Sequence, residues 1–293
     1  MAIKATFFIH IPIKTLKMKK IYLAVALGLS IVSCSPENDE NNQEPTPQPG
    51  QTYQKLSQMT GGDDVAFLYQ DGKIIKGLGN STSEHDDYYS AFQVFYNSNN
   101  QVEKVLESED FFDKPTDFSF DLTSEDSHIE QVYNYHYEGD RLKNITDDSG
   151  EVIMEFTYNS NGFITELYEA YGSNKSSDYF ITKYYYNSVG ELESYTATGK
   201  SSGSSYTKGG EIKTDDAVNP LFYHWQTSNL IIPANISGLS NYNVIGYPHN
   251  VTEIYDGGEL DFKAQIEYDE TDHPVYYRET LRDTDAVVFE YAD

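Results

Sequence analysis

The chain has 293 residues with 20 Lys+Arg against 47 Asp+Glu, a formal net charge of -27, a single Cys and 26 Tyr. Nucleic-acid binding needs clustered basic side chains that displace counterions, and no basic cluster follows Lys20, so a nucleic-acid partner is excluded. One thiol can form neither an internal disulfide nor a CxxC zinc site.

The elements begin with a processing signal. Met18-Lys19-Lys20 is a charged start, Ile21 to Val32 is a short apolar run, and Ser33-Cys34 closes it. Twelve apolar or small residues fall short of the roughly 20 that a spanning helix needs, so the run reads as a signal peptide over residues 1–33. The seventeen residues before Met18 break that pattern and read as a misassigned upstream start, with Met18 the true one, or as an extended n-region. Ile31-Val32-Ser33-Cys34 resembles a bacterial lipobox, in which cleavage frees the Cys amine and thiol for acylation. Cys34 is then a membrane anchor through its lipid, since several acyl chains hold where one does not.

Cleavage removes five lysines and no acid, so the mature chain keeps 15 basic residues against 47 acidic ones. Residues 34–50 contain almost no apolar side chain and cannot repay ordering entropy. With Pro45, Pro47 and Pro49 favouring extended backbone, they form a tether that lifts a domain about 50 Å from the bilayer. Ser35, Glu37, Asp39 and Glu40 resemble the acidic leader that routes Bacteroidota-type lipoproteins to the cell surface. The expected location is therefore the outer membrane, exposed outward.

From residue 51 to 293 one unit recurs: an aromatic strand, a polar turn often holding Gly, and a strand that restarts on an aliphatic residue. Phe67 to Ile74, Val94 to Val102, Tyr135 to Leu142, Phe156 to Ile164, Tyr184 to Leu192 and Ile266 to Val275 are copies. Phe289-Glu290-Tyr291 is the first half of one more. Aromatic and β-branched residues suit pleated strands and Asn, Asp, Ser and Gly suit the turns, so each unit is an antiparallel hairpin. Irregular spacing between the marker tyrosines argues for a meander over a fixed-period solenoid. Alternation in Phe163 to Tyr171 puts acids on either face of the strand, which is incompatible with a lipid-facing apolar band.

The expected fold is all-β: one domain, an antiparallel meander curled into an open, barrel-like sheet. Ser173 to Ser177 and Gly199 to Gly210 read as flexible loop tips. Asn219-Pro220 starts a short helix within an apolar insertion at residues 217–245, which is expected to cover the open side of the sheet and feed its core.

The aromatic-x-Tyr-[Asn/Asp]-x-x-Gly-x-aliphatic units are similar to degenerate YD repeats of the RHS type. Lipobox, tether, hairpins and Asn-Pro-aromatic insertion together resemble an uncharacterised family of Bacteroidota lipoproteins. That resemblance implies a porin-like β-fold over roughly residues 50–293 and implies no catalytic residue.

Chemistry is sparse. The histidines have no metal-ligand spacing, the acid pairs lack a calcium-loop pattern, and no GxSxG, P-loop or dinucleotide motif is present, so no metal, cofactor or catalytic residue is expected. Tyr137, Tyr158, Tyr186 and Trp225 are the candidate binding or core aromatics, because aromatic rings on a rigid sheet can stack on sugars or anchor a protein. The sequence favours a non-enzymatic envelope module whose partner is a glycan or another envelope protein. A periplasm-facing accessory to outer-membrane assembly stands second, and a glycan-active enzyme third.

Overall fold

The computed structural model describes residues 55–60, 63–82, 87–109, 118–124, 129–160, 162–170, 178–188, 190–201, 203–221, 225, 228–231, 247–281 and 286–292. The signal segment, Cys34, the tether and Ser173 to Ser177 lie outside them. Sixteen strands follow one another: β1 Lys55–Thr60, β2 Asp63–Gln70, β3 Lys73–Thr82, β4 Asp87–Tyr96, β5 Val102–Glu109, β6 Gln131–Glu138, β7 Arg141–Thr146 and β8 Val152–Tyr158. The second half comprises β9 Ile164–Ala170, β10 Tyr179–Tyr186, β11 Leu192–Ser201, β12 Ser204–Val218, β13 His249–Asp256, β14 Glu259–Tyr268, β15 Pro274–Glu279 and β16 Val287–Ala292. Each pairs with its sequence neighbours, and β1 pairs with β16 from Lys55↔Ala292 to Thr60↔Val288. The meander is therefore a closed barrel, where the sequence had implied an open sheet. The half unit Phe289-Glu290-Tyr291 needs a returning strand, and β1 supplies it, with Met59 opposite Phe289.

Every copy of the sequence unit is a hairpin at one rim, here the upper rim. Four of its turns share a geometry. In Asn97, Asn159, Asn187 and Asp269 the amide bonds the carbonyl four residues on, and the side-chain oxygen accepts the amide of that same residue at 2.9–3.1 Å. The fourth residue of these turns is left-handed, as at Gly162 (φ 85°) and Gly190 (φ 90°), which is why Gly recurs there.

Just inside each turn the strand register shifts: Tyr96 faces Val102, Tyr137 faces Leu142, Tyr158 faces Ile164, Tyr186 faces Leu192. The extra residue of a bulge turns two positions three apart onto the same face. Val102 and Val105, Leu142 and Ile145, Ile164 and Leu167, Leu192 and Tyr195, Pro274 and Tyr277 are accordingly all buried. Strict alternation from Ile164 had placed it with Glu166 and Tyr168. The bulge moves it inward beside Leu167, so the inside of β9 is Ile164 and Leu167 with one acid, Glu169, and Glu166 lies outside.

Among the described residues the inside carries one apolar core. Met59, Phe67, Phe92, Phe156, Leu167 and Tyr277 belong to one continuous core cluster. Gly199 to Gly210, expected as a loop tip, is instead strand on both sides of a tight turn, with Ser201 opposite Ser204. Its glycines admit close neighbours: a Cβ on Gly199 would collide with the Tyr206 ring, and one on Gly210 with the Tyr255 carbonyl. Gly77 on β3 similarly lies under the Phe92 ring.

The expected short helix is not delineated: among the described residues the insertion shows two helix-type hydrogen bonds, Trp225 N–H to the Leu221 carbonyl (3.4 Å) and Asn229 N–H to that of Trp225 (2.8 Å). β12 extends to Val218, so the insertion starts one residue later, at Asn219, whose side chain caps the Leu221 amide and bonds the Tyr247 carbonyl. Trp225 and Leu230 join the barrel core, Trp225 against Phe156 with ring centroids 5.9 Å apart. Ile232, Ile236 and Leu239 lie outside the described residues.

Because Gly77 has no room for a methyl group, Gly77→Ala is expected to lower unfolding stability by about 1–3 kcal/mol, the usual cost of overpacking. Urea denaturation of the two proteins checks this, and an unchanged midpoint contradicts the packing.

Candidate functional site

The sequence-selected aromatics all point inward. Tyr137, Tyr158 and Tyr186 lie at or next to the ends of β6, β8 and β10, and each hydroxyl donates to a carbonyl near the start of the preceding hairpin's returning strand. The pairs are Tyr137 to Val102 (2.9 Å), Tyr158 to Leu142 (2.8 Å) and Tyr186 to Ile164 (2.7 Å). Tyr96 to Ile74 and Tyr291 to Pro274, both 2.7 Å, follow the same pattern among the described residues. Burial raises the pKa of all five hydroxyls. These partly buried rings act as latches against the core, and Trp225 belongs to the core itself.

Tyr268 breaks the pattern. Its hydroxyl donates to the Asp215 carboxylate, which also accepts from the amides of Ala217 and Asn250. Tyr247 takes the place of a latch beyond β10: its hydroxyl lies 3.2 Å from Thr214 Oγ1 and also bonds the Leu192 backbone. It thereby spans the point where β11 and β12 separate, β11 pairing with β12 only up to Ser194↔Glu211 while β12 turns to pair with β13. At that separation lies a cleft of about 530 Å³ bordered by Asn187, Leu192, Glu193, Glu211, Ile212 and Asp216.

Sequence reading missed the interior acids. Glu107, Glu169 and Glu279 are each at most 7 % exposed and each lies five residues after the aliphatic start of its strand unit (Val102, Ile164, Pro274). That regular offset is the signal that could have found them. Glu107 accepts a 2.7 Å hydrogen bond from the Tyr133 hydroxyl. Glu169 stands between Met154 of β8 and Phe180 of β10, and its Oε2 has no hydrogen-bond partner among the described residues. Burial alone pushes its pKa up to about 8, so at neutral pH it is a neutral acid inside an apolar wall. Among the described residues no three His, Cys, Asp or Glu side chains converge on a metal position.

The aromatics that do face outward are others. Tyr168 on β9 and Tyr179 on β10 stack with centroids 5.9 Å apart and planes 29° from parallel, and Tyr185 on β10 is 46 % exposed. On this face cross-strand neighbours form rows. Glu155, Tyr168, Ile181, Thr198 and Thr207 run in one row from β8 to β12. Thr157, Glu166, Lys183 and Thr196 form the next, with Lys183 and Glu166 paired at 3.1 Å. Tyr185, Ser194 and Glu211 carry the surface into the cleft.

No family model matches the sequence, and no curated protein does. Among solved structures the chain is similar to a porin-like protein from Bacteroides uniformis, at 12 % identity over 82 % of this chain and 99 % of that one, TM-score 0.36. A porin-like protein from Bacteroides vulgatus shows 11 % identity over the same shares, TM-score 0.39. The Photorhabdus luminescens Tc holotoxin pore matches over 78 % of this chain and 13 % of that chain, at 12 % identity and TM-score 0.30. Likenesses this distant bring no function with them.

The raised pKa of Glu169 sets a pH dependence. The folded chain holds this proton up to about pH 8, while the unfolded chain sheds it around 4.5, so unfolding releases a proton between those values. This group's contribution to stability is thus complete in acid and falls as pH rises through that window, by up to about 1.4 kcal/mol per unit. Glu169→Gln is expected to flatten this part of the profile and to be the more stable protein at pH 8. Urea midpoints at pH 5 and pH 8 check it, and parallel profiles contradict it.

Proposed function

We propose that the chain is a lipid-anchored protein of the cell envelope, in which the barrel is a rigid, non-enzymatic binding module held away from the membrane. The observation that supports this most is the polarity of the wall. A barrel that crosses a bilayer turns an apolar band to the lipid and polar groups to its lumen. Here the apolar residues fill the inside, and charges stand in the middle of strands on the outside. Lys213, Glu253 and Lys263 are direct cross-strand neighbours on β12, β13 and β14, joined at 3.0 and 2.9 Å. Hydrogen bonds from both lysines and the Tyr255 hydroxyl hold the Glu253 pKa down at about 2. Such a triad belongs in water.

A barrel of this kind gains nothing from lying in the bilayer, so attachment falls to the lipobox Cys34, and residues 34–50 act as the spacer. Outward placement follows from the acidic leader at Ser35 to Glu40. With the apolar core cluster turned inward, the outer face is the part of the barrel read as meeting a ligand.

In cells fed labelled palmitate, the wild-type chain is expected in the membrane fraction carrying label, and Cys34→Ala in the soluble fraction without it. Label that survives the substitution contradicts the anchor. Protease added to intact cells, with a periplasmic protein as integrity control, is expected to remove the barrel from the surface. Protection would contradict surface display and favour a periplasm-facing accessory.

A further inference from the structure

We propose that the outward face of β8–β11, centred on Tyr168, Tyr179 and Tyr185, binds a neutral glycan chain; this deepens the binding-module reading above and rests on it. A sugar ring has one apolar face of C–H groups and an edge of hydroxyls. A protein site for it needs a flat aromatic surface to stack on and short side chains that exchange hydrogen bonds around the rim. Both are present here. The near-parallel Tyr168 and Tyr179 rings form the stacking surface, and the hydroxyls of Thr157, Thr198 and Thr207 are exposed at neighbouring positions. The Tyr185 ring lies further along β10, its hydroxyl 3.3 Å from Thr196 Oγ1, and leads into the cleft at the β11–β12 separation.

Charge and composition choose the class of ligand. Glu151 and Glu155 are close enough to raise the Tyr168 pKa together with partial burial, and Glu166 stands in the next row. On a chain of net charge -27 these carboxylates repel a polyanionic polysaccharide, while they accept hydrogen bonds from neutral hydroxyls. A protein partner would want a continuous apolar centre. Here every tyrosine is flanked across the strands by Thr, Ser, Lys or Glu, or by the small or single aliphatic side chains of Ala170 and Ile181. The ladder on both sides of β9 and β10 holds the backbone that carries the rings, so little backbone freedom is lost on binding.

The test is affinity electrophoresis of the detergent-solubilised full chain through native gels containing a soluble β-glucan, α-glucan, mannan or xylan. At least one polymer is expected to retard the wild type. Tyr168→Ala/Tyr179→Ala should weaken that retardation about tenfold or more, the loss of two stacking contacts. Tyr179→Phe should keep it, and Tyr137→Phe, which changes only a buried latch, should leave it unchanged. If the double variant melts early, Tyr185→Ala serves in its place. Failure of all four polymers to retard the wild type overturns the proposal, and so does equal retardation of wild type and Tyr variants. Either result leaves the palmitate and shaving outcomes untouched, so the ligand class can fail without the anchored module failing.

Discussion

A tyrosine hydroxyl bonded to the carbonyl of the hairpin before it is the contact on which this barrel depends. The strands that join neighbouring hairpins are not hydrogen-bonded to their upper ends: β3 and β4 pair only as far as Lys76↔Gln93, and β7 and β8 as far as Asn144↔Glu155. Above those pairs the backbone would be left with buried, unpaired carbonyls, each costly to leave unmade. Tyr96 and Tyr158 supply the missing donors to Ile74 and Leu142. The same ring fills the lumen beside it, so one residue type satisfies the backbone, packs the core and fixes the angle between successive hairpins.

The bulge beside each latch makes this possible. It brings the aliphatic residue after the turn inward together with the one three positions later, so the short returning strand contributes two core side chains near the upper rim. A wide barrel would otherwise enclose water, as 16-stranded porins do. This one is closed by its tyrosines, by paired apolar positions and by Trp225 and Leu230 of the insertion. What remains for the outside is charge, hydroxyl and the stacked pair Tyr168 and Tyr179.

Hairpins, their order and their turn chemistry were legible because they are local: Asn-x-x-Gly and the aromatic pairs announce themselves within ten residues. Closure was not, because the pairing of Met59 with Phe289 spans almost the whole barrel, and the only trace of it was an unfinished unit at the C-terminal end. The segment around Gly199 looked like a loop because composition counts glycines without seeing that the Tyr206 ring occupies the space above one of them. Tyr137, Tyr158 and Tyr186 were found as special residues, with binding and core roles both open; the bulge beside each turns its ring toward the core. Tyr168 and Tyr179 were passed over as ordinary strand residues. Only the register of β9 against β10 puts their rings side by side, and only the register of β8 to β12 lays hydroxyls around them.

The burial of the latch hydroxyls can be read by spectrophotometric titration of the tyrosines. Burial raises the pKa of Tyr96, Tyr137, Tyr158, Tyr186 and Tyr291, while exposed phenols ionise near their usual value of about 10. The structure therefore predicts a partial phenolate signal on the intact barrel, with the remainder released only when circular dichroism reports unfolding. Complete and reversible ionisation of every tyrosine near pH 10, with the β-sheet signal unchanged, would contradict it.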